Sequence, residues 1–72
     1  MTEDQAPRQY APLREVRLRA GLSQTQLGAL IGVNPSHVSH VERGVRRPWP
    51  RFRREAARVL KVDEAVLFPE GR

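Results

Sequence analysis

Cysteine is absent from the chain, so neither a disulfide nor a thiolate metal site can hold it together. Acidic residues are the minority: 8 Asp and Glu stand against 13 Lys and Arg, a formal net charge of +5. Aromatic residues make up only 6 %, few for the stacking platforms that single-stranded RNA recognition needs. No apolar run nears the roughly 20 residues of a membrane-spanning helix, and the N-terminus lacks a signal-peptide core. A soluble, cytoplasmic protein is therefore expected. Paired carboxylates in a pocket-forming pattern, a Gly-rich phosphate loop and a nucleophile–base constellation are all missing, so an enzyme is not expected.

What is present points to one small helical domain. A length of 72 residues leaves only a marginal surplus of burial over conformational entropy, so a second subunit would help. All basic residues but Lys61 are Arg. A basic domain of this size suits a polyanionic partner, since phosphates attract clustered cations and release counterions. The same excess can also be a solvated surface, and pattern must decide between the two. Strand-like alternation is absent and a 3.6-residue period dominates.

Residues 1–11 show no periodicity and read as a mobile arm, followed by a domain over 12–69 and a tail at 70–72. Helix one starts near Pro12, carries Leu13, Val16 and Ala20 on one face, and is ended by Gly21 in a left-handed turn. In helix two, "SQTQ" from Ser23 to Gln26 is a capping box, and Leu27, Leu30 and Ile31 form the apolar stripe. Gly28 in the interior of that helix costs about 1 kcal/mol relative to Ala, which makes sense where another helix must approach its backbone closely. Helix three has Asn34 as its cap and Pro35 in its first turn, and it ends before Gly44. Helix four runs from about Pro50 to Lys61, with Phe52, Ala56, Val59 and Leu60 inward and Arg51, Arg54 and Arg58 outward. Asp63 caps a last helix, Glu64 to Phe68, which Pro69 stops. The fold class is all-α, with five short helices around one core.

Helix three is unusual in its chemistry. On a wheel that starts at Pro35 and steps by about 100°, Val38 and Val41 centre the inward side near 270°. Ser36, Ser39, His40 and Arg43 fall opposite, between about 40° and 140°. Arg and His can donate to guanine N7 or O6 in a major groove, and small Ser side chains let the backbone come close. Phosphates call for cations and helix N-termini, and Gln24, Asn34, His37, Arg46, Arg47 and Arg51 flank the polar helix as such contacts should. His37, beside the inward face, suits packing or a phosphate. The Arg51, Arg53 and Arg54 cluster suits either a phosphate or a solvated face. Trp49, between two prolines, suits packing beneath its loop or over the core more than stacking on DNA. Two His at i, i+3 do not make a structural metal site, which needs four ligands, so no metal or cofactor is expected.

The stretch Gln24 to Gly44, "QTQLGALIGVNPSHVSHVERG", resembles the helix-turn-helix of the phage-repressor and Cro family, the XRE-like proteins. Gly28 and Gly32 stand at its fifth and ninth positions. Val33, Val38 and Val41 fill the tenth, fifteenth and eighteenth, and Glu42-Arg43-Gly44 closes the motif. With its flanks the resemblance spans about Pro12 to Phe68. It implies a compact five-helix, lambda-repressor-like domain that binds double-stranded DNA, usually as a homodimer on a palindromic operator. It implies that Gln24 meets a phosphate, that Pro35, Ser36 and His40 occupy base-reading positions, and that Arg17 and Glu42 form a structural ion pair. Two residues depart from the pattern. Pro35 replaces a polar reader and can offer only an apolar contact, and Lys61 stands where the family often has Gly.

Val66, Leu67 and Phe68 are many apolar residues for one terminal helix. Leu67 is expected to close the core, and the three together are the candidate dimer interface. A two-fold dimer would set two reading helices about 34 Å apart on one DNA face. The expected function is an autoregulating transcriptional regulator of the phage-repressor, restriction–modification controller or antitoxin type, in a bacterial or phage cytoplasm and without a small-molecule effector domain. The alternative is an interaction module that binds a toxin, a sigma factor or a polymerase subunit. Such a module would show Leu, Met or aromatic anchors on helix three, where this chain has Ser, His and Arg.

Overall fold

The computed structural model describes residues 11–69, the side chain of Ala11 excepted. The expected tail and the first ten residues of the expected arm lie outside the described residues. Five helices follow one another: α1 (Ala11–Arg19), α2 (Gln24–Ile31), α3 (Pro35–Glu42), α4 (Pro50–Leu60) and α5 (Glu64–Leu67). Among the described residues there is no strand. α1 opens one residue earlier than expected, which takes Ala11 out of the arm.

The capping box forms as the sequence predicts. Ser23 Oγ accepts from the Gln26 amide at 3.0 Å, and Gln26 Oε1 accepts from the Ser23 amide at 2.8 Å. Gly21 and Gly32 take the left-handed conformation, with φ of 77° and 81°. Asn34 and Asp63 stand at cap positions but make no side-chain cap hydrogen bond. At α3, the Asn34 carbonyl instead accepts the His37 amide at 3.0 Å.

The core gathers Leu13, Leu27, Ile31, Val38, Val41, Phe52, Ala56, Ala57, Leu60, Leu67 and Phe68. α2 packs on α3 and α4, while α5 lies against α1 and α4. Of the expected stripes, Val16 and Val59 are half-buried against it, and two residues are exposed. Leu30 is 53 % exposed, because the buried arc of α2 centres on Leu27, Gly28 and Ile31. Ala20 is exposed, since α1 stops at Arg19 and the chain leaves the helical path there.

Gly28 is where the two middle helices close. Its carbonyl accepts both the Gly32 amide at 2.8 Å and the Val33 amide at 2.9 Å, so the turn folds back over it. A Cβ at this position would meet the Val33 carbonyl oxygen at 2.6 Å. A close approach is present, but it is made by the turn backbone at Val33 and not by a helix as expected. At the far end of α4, Lys61 itself takes the left-handed conformation, φ 61°, that the family's Gly would supply.

Both features predict measurable changes in stability. Gly28→Val is expected to destabilise by about 1–3 kcal/mol through overpacking against the turn. Lys61→Gly is expected to stabilise by about 0.5–1 kcal/mol, because it relieves a left-handed side-chain clash at some cost in unfolded-state entropy. Urea unfolding of the two variants checks both signs.

Candidate nucleic-acid interface

α3 is held by its two valines, Val38 and Val41, which are fully buried. Pro35, Ser36 and Arg43 are exposed, and Ser39 and His40 are half-buried. The four donor-bearing side chains therefore line the accessible side of the helix, as the wheel arranges them. None of α2, α3 and α4 carries an acidic residue in its first turn, so their N-terminal ends keep their positive character.

A buried polar lock sets the orientation of this face. Arg17 and Glu42 are each only 5 % exposed. Arg17 Nε donates to Glu42 Oε2 at 2.6 Å, and its Nη2 donates to Oε1 at 3.1 Å. The remaining Arg17 nitrogen, Nη1, donates to the Leu22 carbonyl at 2.9 Å, an acceptor in the turn after α1. Gln24 Nε2 completes the lock by donating to Glu42 Oε1 at 3.0 Å. The lock thus ties α1, the following turn and the start of α2 to the last residue of α3. The sequence reading placed Gln24 at a phosphate but missed its bond to Glu42. No one-dimensional spacing signals a contact between residues 18 apart. One amide N–H remains to Gln24 for an outside acceptor.

The loop after α3 is pinned at both ends. The Val45 and Arg46 amides donate to the His40 carbonyl at 2.9 and 3.2 Å. Farther along, the Trp49 ring meets His37 edge-on at 5.8 Å and tilts against Phe52 at 5.1 Å. The Arg46 guanidinium carbon lies 4.5 Å from the Trp49 ring centroid. Arg47 is exposed. Trp49 thus packs beneath its loop as expected.

His37 is more a packing residue than a surface one: its Nδ1 is buried without a hydrogen-bond partner. It nevertheless shares a shallow cleft with Asn34 and Arg51, floored by Gly28, Gly32 and Val33 and walled by Trp49. Three of the six expected phosphate residues are thus brought together at the turn. On α4, Arg58 donates to Glu55 at 2.7 Å and Arg53 lies 3.6 Å from Glu64. The Glu55 carboxyl is held below its ordinary range by the hydrogen bond from Arg58, with desolvation opposing it and the charges of Arg58, Arg51 and Arg54 adding to it. Arg51 and Arg54 are exposed and make no ion pair among the described residues.

The expected dimer interface needs correction. Leu67 is fully buried and Phe68 is 2 % exposed, with its ring packed on Phe52 at 6.3 Å. α5 ends at Leu67, and at Phe68, with φ −130° and ψ 72°, the chain leaves the helix with the ring turned inward. Only Val66, 47 % exposed, remains at the surface.

Two short helices joined at Gly32–Asn34, the second with its polar side outward, define a helix-turn-helix domain. A family model described as a helix-turn-helix domain matches residues 11–67. The chain belongs to this helix-turn-helix family, which bears out the resemblance and makes it a DNA-binding domain by class. Comparison with curated proteins gives no match.

The lock predicts a contrast in stability. Glu42→Ala leaves the Arg17 guanidinium buried and unpaired and is expected to cost about 3–5 kcal/mol. Glu64→Ala removes only a surface pair and is expected to cost about 0–1 kcal/mol. Equal shifts in urea unfolding would contradict a buried lock.

Proposed function

We propose that the chain is a sequence-specific, double-stranded-DNA-binding transcriptional regulator that acts as a homodimer on a palindromic operator, including that of its own gene. The observation that carries this reading is the outer side of α3. Four donor-bearing side chains line the accessible side there, while Val38, Val41 and Glu42 are the buried residues that hold the helix down. Ser36, Ser39, His40 and Arg43 read base edges in the major groove, and Pro35 offers an apolar contact that suits a thymine methyl. The cleft of Asn34, His37 and Arg51 seats one backbone phosphate. Gln24, at the start of α2, and the loop pair Arg46 and Arg47 meet others.

Phosphate contacts give register and most of the affinity, and base contacts give the preference. Control follows from protein concentration and two-fold binding, as in short phage repressors, controller proteins and antitoxin-type repressors. The exposed Val66 lies beside Val62 and Ala57 on the rim of α4 and α5, the side the proposed dimer uses. No helix among the described residues is long and apolar enough to cross a membrane, in keeping with action in the cytoplasm. The reading involves no catalysis and no cofactor.

Footprinting on the DNA upstream of the protein's own gene, with nonspecific competitor at physiological salt, tests the proposal. A compact two-fold symmetric protected site is expected. Weak, salt-sensitive protection everywhere would overturn it and turn the search toward a protein partner. Within a protected site, His40→Ala is expected to cost about 1–3 kcal/mol against particular base pairs. Arg47→Ala is expected to weaken all sequences alike and to lower the slope of log affinity against log salt by about 1.

A further inference from the structure

We infer that Trp49 is a positioning residue for DNA binding: its indole face, packed against His37 of α3, holds the Arg46 guanidinium where a backbone phosphate can take it. The inference rests on the DNA-binding reading above and adds a residue that touches no DNA itself. Trp49 is fixed from several sides. Pro48, which is buried, precedes it, and Pro50, the first residue of α4, follows it. Its ring lies on Phe52, a core residue, and against the edge of His37 from α3. The loop's own start is tied to α3 through the His40 carbonyl. The indole is therefore a rigid platform whose position relative to the reading helix is set by the core.

Arg46 lies over that platform, its guanidinium carbon 4.5 Å from the ring centroid. Stacking of this kind uses the flat face of the cation. Its N–H donors lie in the guanidinium plane and stay available to a phosphate. An exposed Arg without such support must give up rotamer freedom when it binds. Arg46 has given up part of it before DNA arrives, which is preorganisation. Arg47, the next residue, is exposed and makes no ring contact among the described residues. It serves as an internal control.

The test is a cycle of variants measured on one duplex over a salt series. Trp49→Leu keeps an apolar side chain under the loop but removes the π face. It is expected to weaken binding about two- to five-fold, in line with an exposed cation–π contact. Trp49→Phe should restore part of that loss. In an Arg46→Ala background, Trp49→Leu should bring no further loss, whereas in an Arg47→Ala background its full effect should persist. A full effect of Trp49→Leu in the Arg46→Ala background would overturn the inference and leave Trp49 a packing residue.

A second readout does not depend on DNA. Trp49 is the sole tryptophan, so indole fluorescence reports on it alone. Arg46→Ala should shift the emission of the DNA-free protein, whereas Arg47→Ala should not. Unchanged emission in Arg46→Ala would overturn the stacking itself, even if Trp49→Leu fails to fold. Wild-type protein that binds no duplex, with the Arg46→Ala shift present, would instead remove the DNA-binding reading and leave the stacking in place.

Discussion

The buried pair of Arg17 and Glu42 is the constraint on which the rest of the domain depends. A charge taken out of water is costly unless its partner and its remaining donors are satisfied. Here both carboxylate oxygens accept from Arg17, and the third guanidinium nitrogen reaches the Leu22 carbonyl. Such a pair adds little net stability over an apolar replacement, but it is directional in a way that apolar contacts are not. α3 needs that direction. Two valines can hold a short helix against a core, yet they define its rotation poorly. Glu42, bonded to Arg17 and to Gln24 at once, fixes the rotation and so fixes which residues face outward.

Two other devices complete the placement of α3. At its start, the absence of a side chain at Gly28 lets the turn backbone lie directly on α2. In its first turn, His37 begins an aromatic column that runs through Trp49 and Phe52 to Phe68. This column joins α3, the basic loop, α4 and the residue after α5. It also explains why so small a core needs Phe68 inside. With few aromatics in the chain, each ring has to span two elements.

Much of this was legible in the sequence, and the reasons are local. Ser23 with Gln26 marks a helix start because the two satisfy unpaired amides, and Pro35 marks one because its φ is fixed. Gly28 signalled a close approach because an interior Gly is otherwise a liability. The pairing of Arg17 with Glu42 came from the family resemblance. What escaped depends on three-dimensional choices. Leu30 fits the apolar period of α2 but lies off the arc that Gly28 draws toward α3. Phe68 could have turned outward or inward, and only the end of a four-residue helix decides it. The Gln24 amide and the His37 ring find their partners far along the chain, where no spacing rule reaches.

Selection of bound duplexes from a random DNA pool by the purified protein probes the reading helix most directly. The proposed homodimer, reading DNA through α3, predicts an enriched two-fold symmetric motif whose half-sites lie one helical turn apart, about 34 Å. Recovery of no motif, with binding that depends on salt and not on sequence, would contradict a base-reading role for Ser36, Ser39, His40 and Arg43.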